Sequence, residues 1–227
     1  SDRGYSFYRV TFPPQELSDG NVDLLIKRYQ LGAVNVAGNK HHSDENIRAS
    51  IPALKVGQAP STKHISKGLL VANQNPTKRI RVSLAPGINA NEINANIAVV
   101  DQAPLNGTAW LNNTGTDVSG DYRVGASVAH RNLFGRDHQA SLTFITSPEG
   151  VSDVQQFAAN YRLPIYQFGG SLSVTAVKSD IDTGTVAEVF DVAGRGEVYS
   201  AGYTHQLSNI GRYSHALSLQ LSDKLFD

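Results

Sequence analysis

The chain has 227 residues, a formal net charge of +0 and no cysteine. That balance leaves no bulk field for nucleic acid or an anionic surface, and the missing cysteines remove thiolate nucleophiles, disulfides and Cys-metal sites together. Mean hydropathy is −0.26, and no window approaches the apolar length of a transmembrane helix. Neither fact excludes a β-barrel, because only alternate residues of a barrel strand face lipid.

Residues 5–11 read as a strand broken by Pro13-Pro14, with a turn over Ser18-Asp19-Gly20-Asn21 and a second strand from Val22 to Ile26. Tyr29–Val36 forms the next strand, ended by Gly38-Asn39. Ser43 suits an N-cap, with Asp44 and Glu45 in the positive first turn and Ile47, Ile51 and Leu54 on one apolar helical face. After Gly57 and Pro60, Ser61 or Thr62 caps a second helix with Ile65, Leu69 and Ala72 inward, stopped by Asn75-Pro76. Arg79–Leu84 is a strand, Pro86-Gly87 a turn and Asn91–Val100 the return strand. The order β-α-α-β-β predicts two helices on one face of a three-stranded sheet. Gln102-Ala103-Pro104 then leads, with almost no linker, into the rest of the chain.

From Leu105 to Ser222 about seven segments alternate in period two, the side-chain repeat of a strand. Val124, Ala126 and Val128 interleave with Arg123, Gly125, Ser127, Ala129 and Arg131. Leu142 and Phe144 interleave with Ser141 and Thr143, and Phe157, Ala159, Tyr161 and Leu163 with Ala158, Asn160 and Arg162. Leu172, Val174 and Ala176 oppose Ser171, Ser173 and Thr175; Tyr199, Ala201 and Tyr203 oppose Ser200, Gly202 and Thr204; Leu217, Leu219 and Leu221 oppose Ser218, Gln220 and Ser222. A soluble sandwich and a membrane barrel both show such alternation. Strands near ten residues favour the barrel, since sandwich strands usually run to about five or six. So do connections that alternate between tight turns (Asn132–Arg136, Ser208–Arg212) and longer loops (Ser147–Asp153, Asp180–Arg195). Bacterial barrels close with an even strand number from about eight upward, so the chain is expected to be a piece of a longer protein.

Three arginines, Arg123, Arg131 and Arg162, fall on the polar face, and a hydrated lumen is the physical expectation for them. Pairing with carboxylates that hold the strands together is the other. Trp110, Tyr122, Tyr161, Phe168, Tyr199 and Tyr213 are candidates for interfacial girdles. Arg79, Ile80, Arg81, Val82, Ser83 and Leu84 form the candidate edge strand of the α+β unit, with the helix over Thr62–Asn73 as the other wall of a groove. An extended peptide could add to such an edge by main-chain hydrogen bonds, and proline at Ser83 is expected to block it. The same residues also fit an ordinary core with a solvated arginine face. His41-His42, near Asp44 and Glu45, lack the convergent spacing of a metal site, and Gly194-Arg195-Gly196 lacks the strand-turn-helix setting of a phosphate loop. No catalytic set is recognisable by spacing.

Three groups of motifs carry a resemblance. Val34-x-Val36-x-Gly38-Asn39 with Leu84-Ala85-Pro86-Gly87 resembles a POTRA domain. Phe12-Pro13-Pro14-Gln15 before Asp19-Gly20 resembles the closing hairpin of a preceding one. Asn112-Asn113-Thr114-Gly115, Gly120-x-Tyr122-Arg123 and Asn132-Leu133-Phe134-Gly135-Arg136-Asp137 resemble the first barrel hairpins of two-partner secretion transporters, the haemolysin secretion/activation proteins of the Omp85 superfamily. The resemblance implies an α+β POTRA domain followed by antiparallel transmembrane β-barrel strands, a partial barrel in this chain. It divides the chain into the end of a first POTRA domain (1–28), a second POTRA domain (29–103) and about seven barrel strands (104–227) of roughly sixteen. It further implies a bacterial outer-membrane location with POTRA domains in the periplasm. The implied partners are outer-membrane lipid and a secreted exoprotein, haemolysin- or adhesin-like, with an N-terminal secretion domain. The exoprotein would be recognised and threaded unfolded. Neither enzymatic activity, nor cofactor, nor metal, nor nucleic acid is implied. A barrel-assembly factor of the same superfamily and a soluble β-rich adhesion module are the alternatives.

Overall fold

The structure is a computed structural model that describes residues 7–15, 20–117, 119–181, 195–207, 209, 211 and 213–226. The Ser18-Asp19 part of the first turn, most of the Ser208–Arg212 turn, the interior of the Asp180–Arg195 loop and Gly194 lie outside these residues. The chain divides into two units, residues 1–101 with 208–214 and residues 102–207 with 215–227.

In the first unit, β1 (Tyr8–Thr11) and β2 (Leu25–Arg28) form an antiparallel pair, with Tyr8 opposite Arg28. β2 begins at Leu25 and not at Val22. The Gln15 side chain brackets the Asp23 backbone, accepting from its N–H at 2.7 Å and donating to its C=O at 3.0 Å, so those groups are unavailable to a ladder. β3 (Gln30–Ala37), α1 (Asp44–Ala49), α2 (Thr62–Ala72), β4 (Lys78–Pro86) and β5 (Glu92–Asp101) follow. Their sheet has the order β3-β5-β4, with β5 parallel to β3 and antiparallel to β4.

Period two on β5 decides its faces. Ala95, Ile97 and Val99 are buried, while Asn96, Ala98 and Val100 are exposed. Leu31, Val34, Ile47, Ile51, Ile65, Val71 and Ile80 complete this core. Ser43 caps α1, accepting from Asn46 N at 3.2 Å, and Ser61 caps α2. The first helix stops at Ala49, before Ile51 and Leu54 can continue its face. Pro52 drives Ile51 away from helical geometry, yet Ile51 stays fully buried, against Gly68 of α2. Gly38 ends β3 at φ +92°, where a Cβ would fall 2.3 Å from the Val99 carbonyl oxygen.

A carboxylate ties the two ends of this unit's sheet. Asp101, the last residue of β5, accepts from the backbone N–H groups of Lys40 at 2.9 Å, His41 at 2.8 Å and His42 at 2.9 Å, and meets His42 Nδ1 at 3.1 Å. Burial raises its pKa, but the backbone donors of His41 and Lys40 and the His42 side chain together hold it below the usual carboxylate value.

The second unit is one antiparallel meander of β6 (Leu105–Asn112), β7 (Arg123–Leu133), β8 (His138–Thr146), β9 (Val154–Ile165), β10 (Gly170–Ile181), β11 (Gly196–Gln206) and β12 (Ala216–Phe226), in the order β12-β11-β10-β9-β8-β7-β6. β6 starts at the end where the strands turn through residues 134–137 and 166–169. The β6–β7 and β8–β9 connections, described at 113–117, 119–122 and 147–153, lie at the opposite end. The β7–β8 turn needs positive φ at Phe134 (60°), Gly135 (63°) and Asp137 (60°). Asn132 Oδ1 caps it by accepting from Asp137 N at 2.8 Å, and Tyr166 OH donates to Asp137 Oδ2 at 2.6 Å from the next turn at that end. No helix among the described residues is long and apolar enough to cross a membrane.

Candidate functional site

Two features of the fold bear on function. The first is β4, an edge of its sheet. Ile80 opposes Val99 across the antiparallel ladder, yet its N–H donates to Asn73 Oδ1 at 2.7 Å and its C=O accepts from Asn73 Nδ2 at 3.0 Å. The Ile80 backbone therefore points away from β5, and antiparallel alternation directs Val82 and Leu84 the same way. Asn73 at the end of α2 closes the edge at Ile80, and Pro86 has no N–H to offer. The open stretch is Val82 to Leu84, shorter than the span Arg79–Leu84 suggested by sequence. Ile80 is buried, Val82 and Leu84 are half-buried, and Arg79, Arg81 and Ser83 are exposed. Arg79 donates to the Asn73 carbonyl at 2.6 Å. Ser83 pairs with Asn96 and turns its N–H into the sheet, so proline there would break the ladder and not mask the edge. Asn73 had no mark in the sequence beyond its place at a helix end.

The second feature is the face assignment of the meander, which is inverted relative to a water-soluble sheet. Cross-strand register places Gly125, Ile145 and Gln156 with Ser179 on one face, and Ala126, Phe144 and Phe157 with Lys178 on the other. The face rich in polar residues is the buried one: Gln139 is 7% exposed, Gln156 3% and Ser179 1%. Leu142 is 60% exposed, Val174 55% and Leu219 69% on the apolar face. A single sheet crowds side chains on its concave side and spreads them on its convex side, so this sheet curls toward its polar face. Hydrogen bonds hold that face together, Asn160 Nδ2 to Thr175 Oγ1 at 2.7 Å, Thr143 to Ser127 at 3.2 Å and Gln156 Nε2 to Ser179 at 3.3 Å.

The three arginines share this polar face and divide between its ends. Arg123, at the long-loop end, donates to the carbonyls of Ser119 at 3.1 Å, Gly120 at 2.7 Å and Tyr122 at 3.0 Å and to Ser119 Oγ at 2.6 Å. It shapes the β6–β7 loop. Arg131 and Arg162 come together at the turn end around Gln139. Arg131 donates to Gln139 Oε1 at 3.4 Å, Arg162 is the cross-strand neighbour of Gln139, and Arg162 also donates to Ser171 Oγ at 3.0 Å.

Among the aromatics, Tyr122, Tyr161 and Tyr199 lie on the apolar face, where Tyr161 bonds His138. Trp110 does not belong to a girdle. It opposes Gly125 on the polar face, and a Cβ on Gly125 would sit 2.1 Å from Trp110 Cζ2. A lone Trp in an alternating segment does not reveal which face its strand will bury.

Residues 91–225 match the family model described as haemolysin secretion/activation protein ShlB/FhaC/HecB. The outer membrane transporter CdiB of Dickeya dadantii (strain 3937) is 24% identical over 168 residues, 71% of this chain and 29% of that protein. The heme/hemopexin transporter protein HuxB of Haemophilus influenzae (strain 86-028NP) is 22% identical over 176 residues, 77% of this chain and 31% of that protein. The chain thus spans about a third of the length of these relatives. The structure of CdiB from Escherichia coli aligns with a TM-score of 0.71 at 19% identity, covering 98% of this chain and 41% of that one. CdiB from Acinetobacter baumannii gives 0.68 at 17%, covering 98% and 42%. The shared fold is a β-α-α-β-β unit of POTRA type followed by part of an antiparallel barrel.

Proposed function

The chain belongs to the haemolysin secretion/activation family ShlB/FhaC/HecB, and from that membership we propose that it is a segment of an outer-membrane transporter for two-partner secretion. In this reading residues 1–28 end a first POTRA domain, 29–103 form a second and 104–227 are the first strands of the barrel. The POTRA domains lie in the periplasm and receive an unfolded exoprotein, haemolysin- or adhesin-like, which then passes through the barrel. The chemistry is transport and not catalysis.

The observation that carries this reading is the inverted sheet. Exposing Leu142, Val174 and Leu219 while burying Gln139, Gln156 and Ser179 is unfavourable in water, because apolar area is what folding removes from it. It is favourable where the convex face meets hydrocarbon and the concave face lines a hydrated passage. A soluble adhesion module would need the opposite arrangement. Arg131 and Arg162 then stand on the lumenal wall at the turn end, and Arg123 holds a loop at the other end.

Recognition is assigned to the open edge of β4. A backbone in extended form can pair with Val82 and Leu84 with little regard to its side chains, as suits an unfolded cargo. The test is export of the cognate exoprotein by cells carrying the full-length transporter. Leu84→Pro, which removes an outward N–H and leaves the ladder intact, is expected to lower surface exoprotein while barrel assembly, read as heat-modifiable migration, stays normal. Wild-type export by Leu84→Pro removes the edge from the mechanism. Failure of the intact transporter to export any exoprotein encoded beside it overturns the transport reading itself.

A further inference from the structure

The β7–β8 turn, Asn132-Leu133-Phe134-Gly135-Arg136-Asp137, uses only some of its side chains to hold itself together. Asn132 caps it, and Asp137 is fully buried and bonded by Tyr166 OH. Phe134 and Arg136 do neither. Phe134 sits at φ 60°, a conformation that glycine or asparagine adopts readily and a bulky residue does not. Its ring is nonetheless 77% exposed, so no core packing within the protein offsets that strain. The ring meets His138 edge to face with centroids 5.8 Å apart, and His138 meets Tyr161 in the same way at 5.8 Å. Register puts His138 and Tyr161 on the convex face, so this aromatic row runs from the turn onto the apolar surface. Arg136 is exposed and makes no hydrogen bond or ion pair among the described residues.

Charge is divided unevenly between the two ends of the meander. Segments 130–140 and 161–172, at the turn end, hold Arg131, Arg136 and Arg162 against a single carboxylate, Asp137. At the loop end the balance is reversed, with Asp121, Glu149, Asp153, Asp180 and Glu197 against Arg123, Lys178 and Arg195. Arg131 and Arg162 lie on the concave face around Gln139, which leaves Arg136 as the exposed cation of the β7–β8 turn.

Residues 102–104 lead from the POTRA-type unit into β6 at the turn end. In the transport reading that end meets the periplasmic leaflet, which is phospholipid. Aromatic rings settle at the boundary between headgroups and acyl chains, and a guanidinium pairs with a phosphate through two parallel hydrogen bonds. The headgroup beyond that phosphate decides the fit. An ethanolamine ammonium would come close to Arg136 with no exposed carboxylate to receive it, since Asp137 is buried under Tyr166. A glycerol headgroup is neutral and leaves the phosphate charge for the arginine.

We propose that the β7–β8 turn is a binding site for an anionic glycerophospholipid, phosphatidylglycerol. Its phosphate sits on Arg136, and the upper part of its acyl chains lies against the row Phe134, His138 and Tyr161. The strain at Phe134 is then offset by apolar contact that the membrane supplies. The inference rests on the reading that the convex face contacts lipid with the turn end toward the periplasm, and it adds a preferred lipid to that reading.

The test uses the full-length protein carrying this chain, purified in detergent, with bound lipid counted by native mass spectrometry. Phosphatidylglycerol and phosphatidylethanolamine of identical acyl chains are compared, with lipopolysaccharide and free glycerophosphoglycerol as further probes. Repulsion between the ammonium and Arg136 corresponds to about a fivefold preference for phosphatidylglycerol. Arg136→Gln should abolish that preference and lower phosphatidylglycerol retention about tenfold, the worth of a charge-assisted hydrogen bond. Phe134→Asn suits the positive φ, so heat-modifiable migration should be kept, while retention of both lipids falls about tenfold through lost apolar contact. A purely structural role for Phe134 would give the first result without the second. Equal retention of the two phospholipids by the wild type, or unchanged phosphatidylglycerol retention by a folded Arg136→Gln variant, overturns the headgroup assignment. Lipopolysaccharide held better than phosphatidylglycerol overturns the choice of lipid. Free glycerophosphoglycerol held as tightly as the lipid, or undiminished retention by folded Phe134→Asn, overturns the aromatic contact. Should Phe134→Asn fail to fold, Arg136→Gln, at an exposed turn position, decides alone. Any of these results leaves the transport reading standing, because that is decided by export and by which strand face tolerates charge.

Discussion

Charge placed at neighbouring positions of β10 separates a lipid-facing surface from a lumenal one. Val174 lies between Leu172 and Ala176 on the convex face and is 55% exposed. Thr175 points to the concave face and accepts from Asn160 Nδ2 at 2.7 Å. In water, arginine at an exposed Val174 would be nearly neutral or helpful. Facing hydrocarbon near mid-depth, it costs about 2–4 kcal/mol, which is roughly a 30- to 900-fold loss in the folding equilibrium. Thr175→Arg puts the same charge into the hydrated interior and loses one side-chain hydrogen bond, about 1 kcal/mol. The assay is urea titration of the full-length protein folding into phospholipid vesicles, with folded protein read by heat-modifiable migration. The expected order is wild type, then Thr175→Arg, then Val174→Arg, with a clear gap before the last. Val174→Arg folding as well as wild type while Thr175→Arg fails would refute the face assignment and with it the transport reading.

Three further outcomes follow from particular contacts. Asp101→Asn should destabilise the POTRA unit by about 1–3 kcal/mol, since a neutral amide replaces a carboxylate that accepts several backbone N–H bonds. Because the folded pKa of Asp101 is lowered, its contribution is present above the ordinary carboxylate pKa and fades as pH falls through the folded value, so wild type and Asn variant should converge in denaturant titrations under acidic conditions. Gly125→Ala should cost about 1–3 kcal/mol by pushing a methyl into Trp110, and Trp110→Ala in the same chain should recover part of that, a non-additivity that a double-mutant cycle measures. Asn73→Ala should release the Ile80 N–H and C=O, lower POTRA stability by about 1–2 kcal/mol and speed hydrogen exchange at Ile80; unchanged exchange there would show that Asn73 does not close the edge.

The division between what was legible early and what was not follows from the range of the forces involved. Period two is local, so the residues that share a face on each strand of the meander could be read directly, and the observed register agrees with every interleaving. Caps are local too: Ser43 is visible as a helix start and the second start is narrowed to Ser61 or Thr62, of which the structure uses Ser61, whose side chain bonds an N–H three residues on. Pro52 is also local: it ends the helix before Ile51 and Leu54, although their spacing fits a helical face.

Other features depend on what lies across the fold. Alternation does not say which face is concave, so Trp110 is a girdle candidate by sequence, and only the register sets it over Gly125 on the polar face. Asp101 has no mark in the sequence, and only the sheet order brings it to the backbone of residues 40–42. Asn73 closes half of the candidate edge because the end of α2 returns to β4. Phe134 and Tyr161 come to flank the His138 ring only when β8 and β9 are paired. Amino-acid order alone therefore determined the elements, their faces and the family motifs. Tertiary structure decided which backbone groups stay open, which polar groups are spent on loops and where charge sits on the apolar surface, because those depend on partners far apart in the chain.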